Sequence, residues 1–227
     1  MKHNYALVQS ACVFYGFTTE TTSRLLEMVD QSDQEEWYEK YRPDIAPWLV
    51  QLLDLEAMAD RIRIFATLVP GVCQVPGYAE ALGAMNLEHI DDPSYARRLA
   101  EIRAQRARRV FGRKGVTVSI MLDEGALLRQ VGGAEVMAEQ LQHLRGLATR
   151  PNVEISVLPF SRGAVAATKG AFNILEFDQP EEPDLIYMEN YIGAQYSVKG
   201  SVLNELRSAM TACCLRPFNS GSTNHEH

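Results

Sequence analysis

Val116–Phe177 reads VTVSIMLDEGALLRQVGGAEVMAEQLQHLRGLATRPNVEISVLPFSRGAVAATKGAFNILEF, and the alternation of element types within it decides the fold. Val116–Leu122 is a β-branched, apolar run of strand type that ends at Asp123-Glu124-Gly125. The periodicity then changes. Met137, Leu141, Leu144 and Ala148 recur at helical spacing, which predicts a helix over about 134–149. Pro151 and Asn152 stop it, Val153–Leu158 is a second strand, and Ala171–Phe177 is a third beyond a loop of small residues, 161–170. Two strands joined by a helical crossover normally lie side by side and parallel. The expected fold is therefore mixed α/β, a central mixed sheet with helices packed on it.

Outward from this stretch, Arg61–Leu68 (RIRIFATL) alternates, with Ile62 and Ile64 on one face and Arg61, Arg63 and Phe65 on the other. Asp184–Tyr191 alternates too: Ile186 and Met188 suit the core, and Leu185, Tyr187 and Glu189 project from the opposite face. Strands are thus expected near 61–68, 116–122, 153–158, 171–177 and 184–190. Helices are expected over Leu52–Asp60, from about Pro76, from the Asp92-Pro93 cap to about Phe111, and from about Ser201 to Pro217. Residues 4–15 and about 20–31 form two short helices before them. Trp37, Tyr38, Tyr41 and Trp48 fit either a strap packed on the core or an aromatic wall facing a ligand. The domain reading is a helical segment with strap over 1–48, an α/β domain over 49–216 and a disordered tail over 217–227.

The run from Leu122 to Phe177, with LEAMADRIRIFATLVPG upstream and DLIYMENYIGAQYSV downstream, resembles a domain of unknown function from actinomycete XRE-family regulators. The likeness covers about residues 37–215. Relatives of this kind follow a Cro/repressor-type helix-turn-helix and are labelled WhiJ-like or antitoxin-like. The resemblance implies a regulator-type domain that binds a small molecule or a small partner protein. On that resemblance Met1 falls where the last helices of the DNA-binding head have already begun, so a chain without the reading head is expected. This chain departs from the family's usual residues at Cys73, Val75 and Ala107.

The 227 residues carry a net charge of −7, which opposes general polyanion binding. The four cysteines lack framework spacing, and no apolar run is long enough for a bilayer span, so a cytoplasmic protein with no membrane or specific nucleic-acid partner is expected. A homodimer is compatible with this reading. No zinc spacing, nucleophile elbow, Walker loop or dinucleotide fingerprint occurs, and no cofactor is called for.

Six arginines decorate the helix over 92–111: Arg97, Arg98, Arg103, Arg106, Arg108 and Arg109. Arg106 falls inside the stripe of Tyr95, Leu99, Ile102 and Val110, and Arg103 borders it. An arginine there needs a buried carboxylate or an anionic ligand. The expected ligand site is Arg103, Arg106, Tyr187 and Glu189, beside loop 161–170, with Arg106 either pairing directly with Glu189 or sharing a cavity with it. Were the domain a cofactor-independent cyclase or isomerase of secondary metabolism, Glu189, Tyr187 and Glu124 are the candidate acid–base groups.

Overall fold

The computed structural model of the protein describes residues 5–14, 16–19, 21–23, 25–26, 37–86, 89, 91–92, 94–163, 170–190 and 192–213. The chain divides into two compact units, Met1–Pro43 and Asp44–His227. In the first, α1 spans Tyr5–Phe14, residues 21–23 and 25–26 are helical, and Tyr38 and Tyr41 are buried. The expected tail, Pro93, most of the second short helix and the centre of loop 161–170 lie outside the described residues.

The second unit runs α2 (Pro47–Met58), β1 (Arg61–Ala66), α3 (Pro76–Gly83), α4 (Tyr95–Gly112), β2 (Thr117–Asp123), α5 (Glu124–Leu128), α6 (Ala134–Leu147), β3 (Val153–Leu158), β4 (Phe172–Glu176), β5 (Leu185–Asn190), β6 (Gly193–Ser197) and α7 (Gly200–Cys213). The strands form one mixed sheet in the order β3-β2-β1-β4-β5-β6. β1, β2 and β3 are parallel neighbours, as the helical crossovers predict. β4 pairs antiparallel with β1, and β5 and β6 continue as antiparallel ribbons.

Both faces are covered. Ile62, Ile64, Val118, Ile120, Ile155 and Tyr187 meet the helices on one side. Phe65, Met121, Phe172, Ile174 and Ile186 meet Leu203, Leu206 and Met210 of α7 on the other. On that second side Glu176 is buried and accepts from Arg63 Nε at 3.0 Å and Arg207 Nε at 2.7 Å, so a carboxylate anchors α7 to the sheet.

Several expectations need correcting. The helix before β1 starts at Pro47, because proline sits well at a helix's first position. In α6 it is Gln140, 0% exposed, that is buried beside Met137 and Leu144, whereas Leu141 is only half-buried. Gln140 earns its position by hydrogen bonding: Val75 N donates to Oε1 at 2.9 Å and Nε2 donates to Cys73 O at 2.7 Å. Gly132 and Gly133, with φ of 73° and 90°, make the turn into α6 that side chains disfavour. β6 was not anticipated, since GAQYS carries no apolar alternation. Tyr187, on the face opposite Ile186, is 3% exposed because helices cover that face as well.

Candidate functional site

β1 and β5 run in the same direction and β4 runs against them, so the carboxyl ends of β1 and β5 share an edge with the start of β4. A cavity of about 160 Å³ opens there. Crevices outside the carboxyl ends of sheet strands are a recurrent ligand position. Leu52, Ile64, Phe65, Val72 and Phe172 give it an apolar floor, and Arg106, Tyr187, Glu189 and Asn173 supply polar wall. Pro70 and Gly71 contribute the segment leaving β1, and Ala171 the segment entering β4.

Arg106 reaches the wall from α4, where its stripe position buries it. Glu56 of α2, itself buried, takes it in a two-pronged pair: Nε donates to Oε2 at 2.8 Å and Nη2 to Oε1 at 2.6 Å. Burial opposes the charge of Arg106, yet the Glu56 carboxylate outweighs it, and the guanidinium pKa rises above its ordinary value. Of the two partners the sequence offered Arg106, a buried carboxylate or an anionic ligand, the structure supplies a carboxylate, and it is Glu56 rather than Glu189. The signal was legible in α2, where Glu56 shares the face of Leu52 and Leu53 at i+4 and i+3.

Glu189 has other partners. Trp48 Nε1 donates to Oε1 at 3.1 Å, and the Tyr187 hydroxyl donates to Oε2 at 2.9 Å. Tyr187 is held protonated far above the ordinary tyrosine range, first by burial and then by this carboxylate. Tyr196 of β6 donates to Trp48 O at 2.7 Å, and its ring meets that of Tyr187 edge-on at 5.2 Å. Burial, followed by Glu189, Glu56 and Asp54, pushes the Tyr196 phenol up to about 12. Tyr196 was not read as a site residue from sequence, and Trp48 only within an aromatic group that fits either a core strap or a ligand-facing wall.

Arg103 lies one turn before Arg106 and flanks the cavity without lining it. Its stem packs on Gly71, with Nε 3.6 Å from where a Cβ at that glycine would stand. It donates to Gln74 Oε1, while Gln74 Nε2 donates to Val69 O at 2.7 Å. Burial, then the like charge of Arg106, lowers its pKa to about 10. The remaining candidate, Glu124, stands apart: it follows β2, with β1 and β4 between it and β5, and its Oε2 accepts from Phe160 N at 2.6 Å. Cys73 is fully buried and its thiol is pushed up to about 12 by burial, which makes it inert.

No group of three or more His, Cys, Asp or Glu side chains among the described residues is placed to hold a metal ion. No helix among the described residues is long and apolar enough to cross a membrane. No curated protein and no solved structure matches the chain significantly. One family does match, over residues 49–215, and those residues contain every strand of the sheet and every side chain of the cavity wall. The chain belongs to the family described as a domain of unknown function, DUF5753.

Proposed function

We propose that this chain is a regulatory domain that binds a small molecule, or a short segment of a small partner protein, at the cavity beyond β1 and β5, and that it does not read duplex DNA. The cavity carries this reading, because it joins an apolar floor to a few convergent polar groups, the usual make-up of a ligand site. The resemblance to WhiJ-like, antitoxin-like XRE-family regulators supports it, as does the lack of a catalytic motif in the sequence. Two features speak against a DNA footprint. The net charge is −7, and the arginine-rich helix has Arg98 bound to Asp44 and Asp92 and Arg106 bound to Glu56.

Native mass spectrometry of freshly purified protein, alongside an Ala171→Trp variant that fills the exposed mouth of the cavity, tests the reading. A co-purifying molecule present in the wild type and lost in the variant is the expected result. Fluorescence anisotropy against duplexes from the gene's own upstream region tests the second half. Salt-resistant preference for one site would overturn it.

A second reading has one specific observation behind it. The Tyr187–Glu189 contact pairs a protonated phenol with a carboxylate in the cavity wall, an acid and a base for a cofactor-independent cyclisation or isomerisation. Conversion of the bound molecule by the wild type, abolished in Tyr187→Phe, would replace the regulatory reading with this one.

A further inference from the structure

The cavity's charges divide unevenly between its lining and its flank. Arg106 is spent on Glu56 in a two-pronged pair, and Arg103 is turned to Gln74 outside the lining. Among the described residues Glu189 is the one carboxylate of the lining, and no lysine or arginine comes within ion-pair distance of it, although Arg103 and Arg106 act on it from farther away. Its two donors, the Trp48 indole and the Tyr187 hydroxyl, are neutral, so they orient the carboxylate without cancelling its charge. A carboxylate offers about four lone-pair sites, and two of those on Glu189 remain for a further donor. Trp48 and Tyr187 bond it through their polar edges, and Tyr196 packs edge-on against Tyr187. A primary ammonium, with three N–H donors and no acceptor, suits the sites left on the carboxylate. The apolar floor of Leu52, Ile64 and Phe172 has the chemistry for a hydrocarbon tail.

We propose that the cavity is built for a small organic cation, a primary ammonium with an apolar tail, whose charged head donates to the free lone pairs of Glu189. The inference rests on the reading of the cavity as a ligand site. An anion fits worse, because it would stand beside Glu189 while Arg106, the one arginine of the lining among the described residues, is already paired with Glu56. The surroundings agree: burial raises the Tyr196 phenol, and the carboxylates of Glu189, Glu56 and Asp54 raise it further.

The test uses three probes of equal chain length: n-butylamine, which is cationic at neutral pH, 1-butanol, and butyrate. Binding is read by indole fluorescence in a Trp37→Phe background, where Trp48 is the remaining tryptophan, and by calorimetry. n-Butylamine is expected to bind about tenfold more tightly than 1-butanol, with butyrate weakest. Glu189→Gln should remove that preference while lowering the melting temperature by at most a few degrees, and Ala171→Trp should abolish binding of all three. If 1-butanol or butyrate binds best and Ala171→Trp abolishes it, the cavity stands as a ligand site and the cation assignment is wrong. If n-butylamine binds equally well to Glu189→Gln, the head group is not held by that carboxylate and the proposal falls. If none of the probes binds and no small molecule co-purifies, both readings fall together.

Discussion

Arg106 and Glu189 differ in how much of the fold depends on them, although both line the cavity. Arg106 and Glu56 are a buried pair, with side chains 13% and 2% exposed. Removing one partner strands the other charge, so Glu56→Gln is expected to cost about 3–5 kcal/mol in urea unfolding. Glu189→Gln removes only hydrogen bonds at an exposed carboxylate and is expected to cost about 1 kcal/mol or less. Equal losses in the two variants would contradict this division. Cys73 sets a pH dependence. Its thiol rises from an ordinary 9.0 to about 12 by burial, so the folded protein keeps a proton that the unfolded chain releases. The stability this contributes is complete below pH 9 and is lost as pH rises toward 12. Tyr196, raised from 10.0 to about 12, adds a decline of the same sign. Arg103 has its pKa lowered and acts in the opposite direction, but it is common to wild type and Cys73→Ala. Urea midpoints from about pH 8 to about pH 11 should therefore fall less steeply in Cys73→Ala than in wild type.

At the scale of elements, the placement of α4 decides where its arginines go. α3 approaches it closely at Gly83, where a Cβ would lie 2.8 Å from the Cα of Ala96 and 3.1 Å from its Cβ. Backbone cannot yield as a flexible side chain does, so Gly83→Ala must push the two helices apart. The expected cost is about 1–3 kcal/mol, measured by thermal or urea unfolding. An unchanged melting temperature would show that the contact is looser than its geometry implies. The sequence showed α4 as an arginine-rich helix, and Arg97, Arg108 and Arg109 lie on its exposed face. It could not foresee that Arg98 meets Asp44, because that aspartate lies in a segment with no periodic signal.

For the whole molecule, every residue of both hydrophobic clusters comes from Asp44 onward. The sheet is continuous within that unit, with three parallel strands meeting an antiparallel ribbon at β1–β4. A fragment from Asp44 to His227 is therefore expected to fold alone and to unfold in one cooperative transition by circular dichroism. A broad, non-cooperative loss of signal would mean that the first unit supplies part of the core.

What the sequence by itself determined were the features that short-range patterns encode. A β-branched run, a helical period and a second apolar run were enough to make β2 and β3 parallel neighbours, because a crossover of that length permits little else. The stripe position of Arg106 was enough to demand a negative partner, a carboxylate or an anionic ligand, because a lone buried charge is too costly. Which carboxylate answers was decided only in three dimensions. Glu56 and Glu189 both sit among apolar residues far along the chain from Arg106, and nothing in local spacing ranks one above the other. Packing of α2 against α4 brings Glu56 into reach, and the pairing of β5 with β6 leaves Glu189 to Trp48 and Tyr187. Charges pair by distance in the folded core, and that distance is set by how whole elements pack.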